Sequence, residues 1–129
     1  MNCLSMCRRL ATRALMPLVP LFAFGVPAAQ AEDMKTAVLQ GLDKVTARIS
    51  TFDAPVGQTV KFGSLEITAR KCSKSRPEEL PENAAFLEIK EVGRSKAPVN
   101  VFNGWMFSSS PAASAMEHPV YDVWITSCK

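Results

Sequence analysis

The sequence predicts a mainly β protein: a small antiparallel sandwich or barrel of about six strands, with short helical segments and one disulfide. Several short segments alternate apolar and polar residues, which is the pattern of half-buried strands. Clusters of glycine, proline, serine and aspartate separate these segments, as turns do. Two of the four cysteines lie within the strand-rich part of the chain, where one bridge can form between them.

Residues 1–31 have the three parts of a secretory signal peptide. A basic start precedes an apolar run of about 13 residues, which is short of the roughly 20 that a spanning helix needs. Small residues then flank Gln30, so we expect cleavage after Ala31 rather than an uncleaved anchor. The expected product is a periplasmic protein in which residues 32–129 form a single compact β-rich domain without a membrane span.

Charge is balanced in this predicted domain. Residues 1–31 carry three of the 15 basic residues and none of the 12 acidic ones, so residues 32–129 carry 12 of each. No basic stripe is present, which argues against a nucleic-acid partner. We expect the partner to be another protein of the cell envelope, and we expect no cofactor.

Cys72 and Cys128 remain after the leader is removed, and an even pair in an oxidising compartment predicts a disulfide. The bridge would close a loop of about 57 residues and contribute on the order of 4 kcal/mol to stability. The alternative is a redox pair or a metal thiolate site. A Cys-x-x-Cys spacing, which would favour that alternative, is absent from the sequence.

The predicted elements begin with a short helix over residues 34–40, capped by Asp33 and ended by Gly41. In the first predicted strand, apolar and polar residues alternate from Val45 to Ile49. The six predicted strands cover residues 44–50, 59–62, 65–72, 85–92, 99–107 and 120–128. Polar loops that contain proline or glycine separate them.

The second half of the chain contains three further signals. Gly104 suggests a bulge or a close backbone approach in the fifth strand. Ser110 and Pro111 are typical of a helix start, and Pro119 ends the short helix expected over residues 112–117. The last strand carries apolar side chains on both faces, which predicts a central position in the sheet.

Strand parity makes a prediction about the disulfide. Cys72 shares its parity with Thr68 and Arg70, and Cys128 shares its parity with Trp124. The bridge is therefore expected on the less apolar side of the sheet, near Trp124. A bulge in either strand would reverse this arrangement.

Residues 101–124 contain most of the chemically distinctive side chains. Two specific functions, metal binding and hydrolysis, can be considered for them. Met106, Met116 and His118 are weak candidate ligands for copper, because thioether and imidazole groups suit Cu(I). The second hypothesis is a hydrolase, in which His118 would act as the base and Glu117 or Asp122 would orient its ring. Its candidate nucleophiles are three consecutive serines: Ser108, Ser109 and Ser110.

A structural interpretation of the same polar residues is favoured over both hypotheses. His118 precedes a proline and can lock a corner by hydrogen bonding to the backbone. Glu117 can bind a backbone amide, and Asp122 can either hold the strand next to Tyr121 in register or pair with Arg70. Catalytic residues are therefore not assigned.

The preferred function is a non-enzymatic binding or scaffold module of the periplasm. Aromatic side chains anchor protein interfaces, and this chain concentrates them near its carboxyl end. The predicted interaction surface consists of Trp105, Phe107, His118, Tyr121 and Trp124.

Residues 104–107 (Gly-Trp-Met-Phe) and 117–124 (Glu-His-Pro-Val-Tyr-Asp-Val-Trp) resemble a bacterial family known as domain of unknown function 2155. The resemblance extends over most of residues 40–129 and includes both cysteines of the predicted domain. The family consists of small exported proteins of alphaproteobacteria and their relatives. The resemblance implies an envelope location and a compact domain, and it implies no activity and no catalytic residues.

Overall fold

The computed structural model describes residues 25, 31–93, 97–113, 116 and 118–129. These residues form eight strands: β1 (Glu32–Met34), β2 (Thr36–Asp43), β3 (Arg48–Pro55), β4 (Thr59–Phe62), β5 (Leu65–Lys74), β6 (Asn83–Glu91), β7 (Val99–Phe107) and β8 (Tyr121–Cys128). The predicted leader and Glu117 lie outside the described residues, apart from Gly25 and Ala31. No described helix is long and apolar enough to cross a membrane.

The strands make two antiparallel sheets that pack face to face. In the larger sheet the order is β1-β5-β6-β7, and β4 pairs with β5 on the same side as β1. The smaller sheet has the order β3-β2-β8. The architecture is the predicted sandwich rather than a barrel, since the described strands do not close into a ring.

One corner joins the two sheets through the backbone. The chain passes from β1 in one sheet to β2 in the other at Lys35, whose N–H donates to the Lys129 carbonyl at 3.1 Å. Lys35 accepts in turn from Val56 at 2.9 Å, and the next residue, Gly57, donates to Ala69 of β5 at 2.8 Å. This corner holds two of the three chain crossings between the sheets, so it helps to fix how they are stacked; the third crossing is the β7–β8 connection.

The core lies between the sheets and follows the strand alternation. Each contributing strand buries every second residue against the opposite sheet. The buried set is Ala37, Leu39, Ala54, Leu65, Ile67, Ala69, Cys72, Ala85, Leu87, Ile89, Met106, Met116, Val123, Ile125 and Cys128. Met116 comes from the β7–β8 connection, which therefore contributes to the core.

Cys72 and Cys128 form the predicted disulfide, with their Cα atoms 5.8 Å apart. The prediction that the bridge lies on the less apolar side is wrong, because both cysteines belong to the buried core. A bulge at Arg70 shifts the register between β5 and β6, and a bulge at Thr126 shifts that between β8 and β2. Each extra residue turns its cysteine from the outer face to the inner face.

The predicted helix over residues 34–40 is wrong. This segment is the end of β1 and most of β2, the central strand of the smaller sheet. Ala37 and Leu39 are fully buried with two-residue spacing. Pairing on both sides by β3 and β8 outweighs a weak local helix preference.

The predicted strand over residues 44–50 begins too early. Asp43 accepts hydrogen bonds from the Val45 and Thr46 N–H groups at 2.9 and 3.2 Å, which makes a tight turn. Ala47 has φ of 56°, and β3 starts at the next residue. Val45 and Ile49 are consequently exposed rather than buried.

Three predictions for the second half also need correction. The helical segment after Ser110 is only a turn in the described residues, where Ala113 donates to the Ser110 carbonyl. The β7 bulge lies at Val101, while Gly104 pairs regularly with Leu87. β8 is an edge strand rather than a central one, since β2 is the single described strand that pairs with it.

Candidate functional site

His118 is the buried polar residue of the described chain, with a side chain 3% exposed. Its Nδ1 accepts hydrogen bonds from the N–H groups of Val120 and Tyr121, both at 3.1 Å. The Tyr121 ring stacks on the imidazole with centroids 5.3 Å apart. The His-Pro sequence thus makes a corner that leads directly into β8, as the structural interpretation predicts.

These contacts determine the tautomer of His118. Because Nδ1 accepts two hydrogen bonds, the proton of the neutral ring lies on Nε2. Nε2 is 3.2 Å from a Glu91 carboxylate oxygen, yet the direction is wrong for a hydrogen bond, and Nε2 has no hydrogen-bond partner among the described residues. Glu91 is therefore a charged neighbour of the imidazole and not its hydrogen-bond acceptor.

In this geometry the residues of the copper hypothesis do not provide a set of metal ligands. Neither imidazole nitrogen of His118 has a free lone pair for a metal ion. Met106 and Met116 are buried in the core, where a thioether is a common filler. Among the described residues, moreover, no three histidine, cysteine, aspartate or glutamate side chains are grouped as a metal site.

Lys44 ties the His118 corner to the smaller sheet. Its Nζ donates to the His118 carbonyl at 3.0 Å and pairs with the Asp122 carboxylate at 2.9 Å. The predicted Asp122–Arg70 pair is wrong, because Arg70 pairs with Glu88 across β5 and β6 at 3.0 Å. Asp122 thus holds the corner, which is a structural role.

The serines lie in a separate network at the other end of the sandwich. Glu82 accepts from the Ser108 hydroxyl at 3.2 Å, from the Ser109 N–H at 3.1 Å and from the Ser109 hydroxyl at shorter range. The Ser109 hydroxyl is the main cause that lowers the pKa of Glu82, and burial opposes it. Asn83 extends the network by accepting from the Cys128 N–H at 3.0 Å.

The described residues do not assemble the serine–histidine group of the hydrolase hypothesis. Ser108 contacts Asn83 at the start of β6, whereas His118 lies against Glu91 at its end. Eight residues of strand separate these two positions, or about 26 Å. Ser110 forms only the turn after β7, and Glu117 is outside the described residues. Ser108 and Ser109 instead bind a carboxylate that the sequence reasoning missed.

The predicted interaction surface divides into three places. Trp105 and Phe107 are each 40% exposed on the outer face of the larger sheet. His118 is buried with Tyr121, which contacts Phe62 edge-on at 5.4 Å. Trp124, on β8, is half-buried beside an open cleft of about 200 Å³. Only Trp105 and Phe107 form a shared exposed surface.

Phe86 completes that surface, and the sequence reasoning missed it. It pairs with Trp105 across β6 and β7, with ring centroids 5.6 Å apart in an edge-to-face arrangement. We call Phe86, Trp105 and Phe107 the aromatic face. The signal was present in the sequence, because Phe86 has the opposite parity to Leu87 and Ile89, both of which are buried.

A family model described as an uncharacterized protein conserved in bacteria, DUF2155, matches residues 37–128. The chain belongs to this family. An uncharacterized protein of Rickettsia prowazekii (strain Madrid E), RP359, is 32% identical over 87 residues. The match covers 67% of this chain and 56% of the relative, so the chain spans little more than half of that protein's length. No solved structure matches the chain.

Within the family match lie both cysteines, the His118 corner and the aromatic face. The DUF2155 resemblance drawn from residues 104–107 and 117–124 is therefore confirmed. Neither the family description nor that of the relative assigns an activity.

Proposed function

We propose that the protein is a non-enzymatic binding or scaffold module of the bacterial cell envelope, and that its contact surface is the aromatic face. The observation that carries the proposal is the exposure of Trp105 and Phe107 beside Phe86 on the outer face of the larger sheet. Large aromatic side chains that remain accessible are typical anchors of protein interfaces.

The surroundings of the aromatic face favour a protein partner. Lys71 pairs in register with Phe86 and forms an ion pair with Asp33 at 3.5 Å, so a charged rim borders the apolar centre. An apolar centre with a polar rim is the usual anatomy of a protein interface. The core does not account for Trp105 and Phe107, because both project away from it.

The proposed location is the periplasm, reached through a leader cleaved after Ala31. Two features support this part of the proposal. Residues 1–31 have the composition of a signal peptide. The Cys72–Cys128 bridge is typical of proteins that fold in oxidising compartments. Cell fractionation with mass spectrometry tests it: a mature chain that begins at Glu32 is expected, and an intact chain in the cytoplasm would refute the location.

The binding proposal is tested by site-specific photocrosslinking in cells. A photoreactive amino acid at Trp105 or Phe107 is expected to capture one defined protein. The same amino acid at Ile49, which is 61% exposed on β3, is the matched control. The proposal fails when no adduct appears at the aromatic face, or when Ile49 captures the same proteins.

A further inference from the structure

A different part of β7, its backbone edge, suggests a second contact. β7 is the last strand of the larger sheet and has β6 as its sole strand partner among the described residues. The segment that follows makes one backbone hydrogen bond back to β7 in the described chain, from Ser110 to Phe107 at 3.3 Å. As far as the described residues go, the N–H and C=O groups on the other edge of this nine-residue strand are open to a further strand.

The composition of β7 sets it apart from the other edge strands. Val99–Phe107 contains no charged residue and no proline. β1, β3, β4 and β8 each contain at least one charged residue. Charges, prolines and bulges are the devices that keep free edges from pairing. β7 has only its bulge at Val101, so residues 102–107 remain in regular register along β6.

We propose that β7 pairs with β7 of a second copy of this chain, antiparallel and about a two-fold axis through residues 102–107. The larger sheets of two molecules then become one continuous sheet. The aromatic face projects from this sheet rather than along its edge, so both copies of the aromatic face lie side by side and stay accessible. The proposal goes beyond the proposed function and does not depend on it.

A second copy fits this edge better than a disordered peptide does. It brings an extended strand that is already formed, so little conformational entropy is lost on pairing. The two strands carry no charge, so the two-fold axis does not bring like charges together. Residues 32–129 carry 12 basic and 12 acidic residues, which removes net repulsion between copies.

The two-fold axis makes a geometric prediction. In an antiparallel pair of identical strands, one residue lies opposite itself, with Cβ atoms about 4.5–5.5 Å apart. Residues two positions away then lie about 13 Å from their own copies along the strand. Among residues 102–107, the exposed side chains are Asn103, Trp105 and Phe107. Either one of these three lies at the axis, or the axis passes at the inward residue between two of them. In the second case Asn103 of one copy lies opposite Trp105 of the other, or Trp105 lies opposite Phe107.

Single-cysteine variants test the arrangement. Asn103→Cys, Trp105→Cys and Phe107→Cys are each made in the full chain, exported through its own leader and purified. One of the three variants alone, or one mixture of neighbouring variants (Asn103→Cys with Trp105→Cys, or Trp105→Cys with Phe107→Cys), is expected to form a disulfide-linked dimer on mild oxidation, because a disulfide needs Cα atoms about 4.4–6.8 Å apart. Ile49→Cys, on exposed β3, reports the rate of random collision. The proposal is overturned when no variant and no mixture crosslinks faster than Ile49→Cys.

Sedimentation equilibrium provides the second measurement. The wild-type protein is expected to be a reversible dimer with a dissociation constant on the order of 1–100 μM, as suits a small interface. Trp105→Lys places like charges near the axis and is expected to weaken the dimer at least about tenfold. Ile49→Lys is the control. A monomer throughout this range, or a dimer that Trp105→Lys leaves unchanged, would overturn the proposal.

Discussion

Reduction of the Cys72–Cys128 bridge removes the covalent tie between β5 of one sheet and β8 of the other. The two cysteines are 56 residues apart in sequence, so the bridge closes a loop of about 57 residues in the unfolded chain. Loop-closure entropy for that length gives about 4 kcal/mol of stabilisation at 25 °C. Because a domain of this size is typically stable by about 5–15 kcal/mol, the bridge is a large share of the total.

The measurement is urea unfolding followed by tryptophan fluorescence, with the oxidised and the reduced protein in the same buffer. Both sulfurs are buried, so the reduced sample is prepared by unfolding in reductant and refolding in its presence. We expect the free energy of unfolding to fall by about 4 kcal/mol and the melting temperature by about 15–30 °C.

A Cys72→Ala/Cys128→Ala variant separates the loop entropy from the packing. Its loss of stability should exceed that of the reduced protein, because two buried sulfur atoms are also removed. A loss below about 1 kcal/mol on reduction would contradict the loop-entropy argument.

Three further predictions concern other parts of the fold. Gly41→Ala places a carbon 2.5 Å from the Phe62 ring, so urea unfolding should show a loss of about 1–3 kcal/mol. In Gly104→Ala the nearest atom lies at 3.7 Å, and an equal loss there would contradict this reasoning. The lowered pKa of Glu82 implies stability that is present above the ordinary glutamate pKa of 4.5 and lost as pH falls through the pKa of the folded protein. Glu82→Gln should therefore flatten the pH dependence of unfolding in acid, and parallel curves for variant and wild type would refute it. Deletion of Arg70 removes the β5 bulge and should turn Cys72 outward, away from Cys128. Thiol titration of residues 32–129 should then find two free cysteines. The control Arg70→Ala keeps the bulge and should show no free cysteine.

The pattern of apolar and polar residues was sufficient for most of the strands. The bounds of β4 and β7 were predicted to the residue, and those of β5, β6 and β8 to within two residues. Alternation succeeds there because each of these strands buries one face against the opposite sheet. It failed in residues 34–40, where local capping signals favoured a helix. Pairing by two neighbouring strands decided that segment, and no local pattern reports on those neighbours.

The candidate site was predictable in part. The corner role of His118 followed from the proline after it, since that sequence favours an extended turn. The partner of the serines did not follow, because Glu82 is 26 residues from Ser108 and is brought to it by the β6–β7 pairing. Two residues of the aromatic face, Trp105 and Phe107, were predicted from the sequence. The alternation of inward and outward residues along β6 would have identified Phe86 as the third.

The disulfide separates most clearly what the sequence determines from what the tertiary structure decides. Two cysteines in an otherwise ordinary β-rich chain were enough to predict the covalent bond. The side of the sheet on which that bond lies depended on one extra residue in β5 and one in β8. Each bulge reverses the inside and outside of every residue after it, and composition does not report a bulge. Composition and alternation therefore determined the strands and the bridge, while the register between strands decided which side chains became the core and which became the exposed aromatic face.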